Sequence, residues 1–309
     1  MPHALALLGS GRRNGYTATL MFHAVEGMEE IAGVDVETVY LHDYALVPCR
    51  SCFDCIRDPQ HVCVQEDEMG KRGEGILFQK VKNANAILVC DPVHLCGPSA
   101  QTHLFVEQCY PFLWSGGLIG MPFASISCAT NQGMQRIATR DLCKWAYGFG
   151  MLYVGGLPVH ASYFQRALSE AQSLGRSLAE AAQRDVQEGR RAFSDRERFR
   201  CYMQTPWNLL EAYLDNLSDG TFEWEHSLIA EATRNGAFTH PESIALLQKA
   251  AQEFRTALRA YHSGKYGEAS NHLAQCSTFW THATWKEFLE SEVIGTAPPG
   301  VYRPLAQAR

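Results

Sequence analysis

The chain has 309 residues, 46% apolar and 19% charged, which is the size and composition of about two ordinary globular domains. Its net charge of −6 excludes a nucleic-acid binder, which needs a basic face to neutralise phosphates. No apolar run reaches the roughly 18 residues of a membrane-spanning helix. Residues 1–8 lack the basic flank and small-residue cleavage site of a signal peptide, so a cytoplasmic location with reduced cysteines is expected. Eleven cysteines, an odd number, do not suit a purely disulfide framework.

The first apolar run, His3–Leu8, is short and ends at Gly9, as a buried parallel strand would. A polar glycine loop follows, G-S-G-R-R-N-G-Y-T over 9–17, and then an amphipathic stretch over 18–31. Strand, glycine loop and helix make a phosphate site, because the first N–H groups of a helix point outward unpaired and its dipole favours an anion. Ser10, Asn14 and Thr17 add polar donors and Arg12 adds charge. The loop has neither the Gly-Lys-Ser/Thr ending of a P-loop nor a G-x-G-x-x-G spacing, so a mononucleotide monophosphate suits it better than a di- or triphosphate. A plain polar turn is the alternative for this loop taken alone.

Residues 34–41 alternate as a second strand, and 74–81 read as a short helix. Between them lies C-R-S-C-F-D-C-I-R-D-P-Q-H-V-C, with Cys49, Cys52, Cys55 and Cys63 at C-x2-C-x2-C-x7-C. Thiolates are soft ligands suited to iron–sulfur clusters or zinc. Zinc sites pair two C-x2-C knuckles across a longer gap, whereas overlapping C-x2-C-x2-C is the run of the bacterial ferredoxins. With no second run present, Cys63 is the natural fourth ligand of a 4Fe–4S cluster; zinc, or redox-active or vestigial thiols, are the alternatives. The other cysteines have no such spacing and read as small core residues, Cys96 and Cys128 being the two placed in polar loops.

A third buried strand over 86–90 ends in D-P-V-H-L-C-G-P-S-A, a turn rich in proline and glycine over 91–100, before a helix over 101–112. A fourth strand over 121–127 ends in C-A-T-N-Q-G before a helix over 134–149, and a fifth over 151–154 is closed by Gly155-Gly156. A long amphipathic helix spans 164–190. Five strands alternating with five helices predict a three-layer α/β domain with a five-stranded parallel sheet, its polar strand ends converging on one ligand. Residues 194–200 are charge-dense and read as a linker. Beyond them helical periodicity over 207–217, 222–235, Pro241–His262 and 265–293 predicts an all-α C-terminal appendage whose many aromatics are mostly core. The resulting division is 1–193, with the cysteine loop at 49–69, then a helical domain over 194–295 and an extended tail over 296–309.

In its first 155 or so residues the chain resembles the iron–sulfur flavoprotein branch of the NAD(P)H-dependent FMN reductases, which have a flavodoxin-like fold. The resemblance rests on the blocks G-S-G-R-R-N-G-Y-T, P-C-R-S-C-F-D-C with C-V-Q-E-D-E-M behind it, D-P-V-H-L-C-G-P-S-A and G-M-L-Y-V-G-G. Family members have Ser-Pro-Val-Tyr where this chain has Asp91-Pro92-Val93-His94, and Asp-Asp-Met where it has Asp67-Glu68-Met69.

The resemblance implies FMN with its phosphate held by Ser10, Arg12, Asn14, Gly15, Tyr16 and Thr17. Pro92, Val93, His94, Leu95 and Gly97 would run along the isoalloxazine, and Thr130, Asn131, Gln132 and Gly133 would close its other side. His94 is a candidate proton donor at the flavin N5, or an ordinary structural histidine; no other catalytic residue is named. The implied activity is an FMN- and 4Fe–4S-dependent oxidoreductase. It would move electrons from a reduced nicotinamide, NAD(P)H, or a ferredoxin-type donor to a small-molecule or protein acceptor, as a homodimer or homotetramer. Two alternatives remain: a cluster-free reductase of quinones, nitro compounds or flavin, and a non-enzymatic redox sensor docking a partner through its helical appendage.

Overall fold

The computed structural model describes residues 1–130, 134–161, 164–190, 194–203, 209–218 and 221–287. The chain divides into two compact units, Met1–Ala192 and Phe193–Arg309.

The first unit is built on β1 (His3–Leu8), β2 (Asp35–Tyr40), β3 (Ala86–His94), β5 (Pro122–Ala129) and β6 (Leu152–His160). All pair in parallel, in the order β2-β1-β3-β5-β6. This is the flavodoxin-like order, in which the chain first winds one way from β1 and then the other. A two-residue strand, β4 (Gly97–Pro98), folds back antiparallel on the end of β3. The continuous apolar run of β1 reflects burial on both faces: Ala4 to Leu8 are fully inaccessible.

Helices α1 (Tyr16–Glu29) and α7 (Phe164–Glu188) cover one face, where Leu20, Met21, Ala24 and Met28 meet Ala171, Leu178 and Ala182 over Leu88 and Ile126. The remaining helices of the unit are α2 (Asp54–Arg57), α3 (Ile76–Asn83), α4 (Ala100–Gln108), α5 (Tyr110–Ser115) and α6 (Gln135–Gly148).

Three expectations change in this unit, the first being that the third strand does not end at Cys90 but runs on to His94 and folds back as β4. The glycines at 155 and 156 do not end the fifth strand; β6 runs through them to His160. They leave room rather than make a turn: a methyl on Gly156 would overlap the Tyr153 hydroxyl and press on Thr139, and the register shifts beside them, at Phe123/Ala124. The helix expected over 101–112 is two helices, α4 and α5, because Pro111 has no N–H to continue α4 and takes the first turn of a new one.

The second unit contains α8 (Asp195–Met203), α9 (Leu209–Ser218), α10 (Leu228–Arg234), α11 (Pro241–His262) and α12 (Tyr266–Thr284). Residues 194–200, expected as a linker, are mostly helix α8. Ser194 and Glu197 form a capping box: the Ser194 hydroxyl accepts the Glu197 N–H at 3.3 Å, and the Glu197 carboxylate accepts the Ser194 N–H at 3.1 Å. Helices α11 and α12 form an antiparallel hairpin through Gly264, whose φ of +73° suits glycine.

In that hairpin Leu247, Phe254 and Leu258 are buried on α11, and Leu273 and Cys276 on α12. The aromatics are less buried than expected. Phe254 and Trp285 are core, whereas Phe222 stacks on Tyr261 and Arg255 lies over Trp224 in half-buried positions. Trp207, Phe288 and the tail over 296–309 lie outside the described residues. Among the described residues no helix is long and apolar enough to cross a membrane.

Candidate functional site

The carboxyl ends of β1, β3 and β5 open into a cleft of about 700 Å³. Such a volume lies within the range of small-molecule and cofactor sites. From the β1–α1 loop, Ser10, Arg12, Asn14, Gly15, Tyr16 and Thr17 all line it. Helix α1 starts after Gly15 with no side-chain cap and no acidic residue in its first turn, so its leading N–H groups remain available to an anion. The loop is fixed at its base: the Gly9 N–H donates to the Cys90 carbonyl at 2.9 Å.

From the end of β3, Pro92, Val93 and His94 reach the cleft, and from the end of β5, Thr130 does. Leu95 and Gly97 are not among the lining residues. Leu95 sits fully exposed at the tip of the β3–β4 hairpin, and Gly97 pairs back onto His94. Asn131, Gln132 and Gly133 lie outside the described residues. His94 is solvent-exposed at the cleft mouth.

Cys128, one of the two cysteines that the sequence places in polar loops, also lines the cleft, as do Gly11, Thr19 and Phe164, which were not expected. Cys128 faces Thr17, and burial pushes its thiol up to about 11 against the opposing hydrogen bond from Thr17. Phe164, the first residue of α7, meets Tyr16 edge-on at 4.7 Å and forms one wall. Its position just beyond the fifth strand was the available signal, since every loop at that sheet edge can reach the ligand.

Asp91 lies beneath the cleft and is completely buried. It accepts the Ser99 N–H at 2.8 Å, the Ser99 hydroxyl at 2.7 Å and the Thr102 hydroxyl. The Ser99 hydroxyl also lies 3.1 Å from the Gly9 carbonyl. Burial raises the Asp91 carboxyl above its ordinary range despite these bonds. Gly9 belongs to the same knot: a methyl there would overlap Thr102 Oγ1 and Asp91 Oδ1. The phosphate-type loop and the β3 turn are therefore one hydrogen-bonded piece.

The cysteine loop forms a second cavity, of about 470 Å³. Cys49, Cys52, Cys55 and Cys63 all line it, against a wall that includes Tyr110, Trp145 and Phe149. Burial, reinforced by the other three thiols, pushes Cys55 up to about 12, and burial likewise raises Cys63. The base of the loop is anchored by Asp67, whose carboxylate accepts the N–H groups of Val47 and Met69 at 3.1 Å each. That contact gives the E-D-E-M block a structural role.

Ser51 and Phe53, between the cysteines, have φ of 51° and 59°. Backbone of this kind turns N–H groups inward, and the Ser51 N–H points at Cys49 Sγ at 3.4 Å. Among the described residues no group of three or more His, Cys, Asp or Glu side chains converges to hold a single metal ion. A cubane cluster takes one thiolate per iron around a central volume rather than several on one ion.

The sequence model of the NADPH-dependent FMN reductase family matches residues 2–165. The chain is 26% identical over 189 residues to an iron–sulfur flavoprotein of Archaeoglobus fulgidus, covering 58% of this chain and 79% of that one. It is 27% identical over 149 residues to an iron–sulfur flavoprotein of Methanosarcina thermophila, covering 48% and 74%. Among solved structures it is similar to an NAD(P)H:quinone oxidoreductase from Methanothermobacter marburgensis, at 17% identity and a TM-score of 0.42, covering 57% of this chain and 96% of that one. The chain belongs to the NADPH-dependent FMN reductase family, as a flavin-dependent oxidoreductase on its iron–sulfur flavoprotein branch.

Proposed function

We propose that this protein holds FMN in the cleft at the carboxyl edge of its sheet and a 4Fe–4S cluster in the cysteine cavity, and passes electrons from a reduced nicotinamide or ferredoxin-type donor to an acceptor. The observation that carries the reading is that all four cysteines of the motif line one cavity, with a backbone N–H turned toward one of the sulfurs. When bound, the flavin exchanges hydride or single electrons and the cluster passes single electrons.

The residues divide the work. The open N-terminus of α1, with Arg12, Asn14 and Thr17, binds the phosphate. Pro92, Val93 and His94, which line the cleft, would hold the ring. Tyr16 and Phe164 exclude water from one side of the cleft. Cys49, Cys52, Cys55 and Cys63 each supply one thiolate, and N–H donation to sulfur stabilises the charge that ligation leaves on it. Assembly as a homodimer or homotetramer belongs to the same reading and is tested by light scattering.

Anaerobic isolation followed by assays of iron, acid-labile sulfide and FMN tests the reading directly. Iron and sulfide in equal amounts with stoichiometric FMN, and loss of iron but not FMN on Cys52→Ser, are the expected results. Protein that carries FMN, no iron and an unchanged reductase activity after Cys52→Ser would instead be a cluster-free reductase.

A further inference from the structure

The cysteine motif has a compact half and a distant member. Cys49, Cys52 and Cys55 are separated by two residues in turn, so local backbone geometry alone gathers them. Cys63 comes eight residues after Cys55, beyond Pro59, and closing that excursion over the cavity costs chain entropy that an outside contact has to offset.

The last turn of α4 makes that contact. Gln108 is buried, and its Nε2 donates to the carbonyl of Val47, two residues before Cys49. On its other side, Oε1 accepts from the Cys63 thiol at 4.0 Å. The neighbouring Glu107 pairs with the Cys49 N–H at 3.2 Å. One helix end thus grips both the first and the last cysteine of the motif.

The geometry points to Gln108 as the positioning residue that makes Cys63 the fourth ligand, a role that rests on the cluster reading above. A free thiol can donate to Oε1, but a ligating thiolate can only accept. A carboxamide carries a donor and an acceptor in one plane, so in the loaded protein it turns over to present Nε2 to the sulfur and gives up the Val47 carbonyl, which Oε1 cannot bond. Methionine has the same length and offers no hydrogen bond. Ionised glutamate offers acceptors alone and sets a negative charge against four thiolates. Retention of iron therefore follows the order Gln, Met, Glu at position 108.

The test is the rate at which reconstituted protein releases iron to a chelator under anaerobic conditions. It compares the wild type, Gln108→Met and Gln108→Glu, each with Cys63 intact and with Cys63→Ser, using FMN content as the control for folding. Loss of an outer-shell partner costs about 10–100-fold in metal affinity, so Gln108→Met should release iron faster by a factor in that range and Gln108→Glu by more, with FMN content unchanged. In the Cys63→Ser background Gln108→Met should add nothing, because the partner it acts through is already gone. Release at the wild-type rate from Gln108→Met overturns the proposal, and so does an equal acceleration with Cys63→Ser already present. Wild-type protein that takes up no iron overturns the cluster reading itself, a result distinct from either of these.

Discussion

Ser99 and Gln108 stand at opposite ends of the nine-residue helix α4, and each fastens a different cavity. The Ser99 hydroxyl accepts the Thr102 N–H at 3.4 Å as helix cap and lies between Asp91 and the Gly9 carbonyl at the floor of the cleft. Gln108 holds Val47 and Cys63 at the edge of the cysteine cavity. A helix of this length is about 13 Å long, so the two sites are held about one helix apart by a single rigid element.

Gly9→Ala tests the first of these fastenings. The added methyl overlaps Thr102 Oγ1 and Asp91 Oδ1, both in a closed hydrogen-bonded knot with no room to shift. Overpacking of this kind costs about 1–3 kcal/mol. The expected result is a lower melting temperature and reduced FMN content, with iron content following the wild type because α4 still reaches the cysteine loop. Full FMN occupancy in Gly9→Ala would mean that the knot does not shape the cleft.

Asp91 predicts a pH dependence of stability. Burial raises the carboxyl above its ordinary 3.8, outweighing the hydrogen bonds from Thr102 and Ser99 that act to lower it. The charged neighbour acting in the other direction is His94. The folded state therefore keeps a proton that the unfolded chain releases above pH 3.8, and the stability this gives is lost as pH rises through the folded value. Asp91→Asn mimics the protonated acid at every pH. Its melting temperature relative to wild type should climb as pH rises from about 4 and then level off. Parallel melting curves across pH would show that Asp91 is ionised in the fold.

The sheet and its two cavities were legible because their signals are local. Apolar runs ending in glycine or polar loops mark buried strands, and three of those ends, at Ser10, Pro92 and Thr130, do meet in one cleft. The misreadings have physical reasons. Gly155 and Gly156 look like a turn in sequence, but Tyr153 and Thr139 occupy the space above Gly156 and Leu174 that above Gly155. The stretch S-D-R-E at 194–197 was dense enough in charge to pass for a linker, although its serine and glutamate spacing is that of a capping box. Phe164 and Gln108 carry no motif; only the fold brings one to Tyr16 and the other to Cys63.

In the helical unit, Glu287 links the end of the α12 segment to the start of α11. Its carboxylate accepts the Thr239 N–H at 2.9 Å, the Thr239 hydroxyl at 2.7 Å and the His240 N–H at 3.0 Å. Burial pushes its carboxyl upward, but these bonds outweigh it and bring the group down from 4.5 to about 2. A depressed acid stabilises the fold above its unfolded value and loses that contribution as pH falls toward the folded one. Glu287→Gln should weaken the helix start by about 1 kcal/mol at neutral pH, read as faster hydrogen exchange at the amides of residues 239 and 240. The difference from wild type should close as pH falls from 4.5 to about 2. An unchanged exchange rate at neutral pH would remove Glu287 from the cap.

The β3–β4 hairpin carries a turn its residues do not favour. Val93 pairs with Pro98 and His94 with Gly97, leaving Leu95 and Cys96 as a two-residue loop with φ of 46° and 70°. Positive φ at both positions is the type I′ turn, for which Asn-Gly is the preferred pair. A branched apolar side chain in the left-handed region costs roughly 1–2 kcal/mol, and Leu95 recovers nothing by burial, since it is fully exposed. The double substitution Leu95→Asn and Cys96→Gly should therefore raise the melting temperature by about 2–4 °C for each kcal/mol relieved. FMN content should stay constant, because neither side chain lines the cleft. A stabilised protein that binds FMN less well would show that the strained turn itself holds Val93 and His94 where the cofactor needs them.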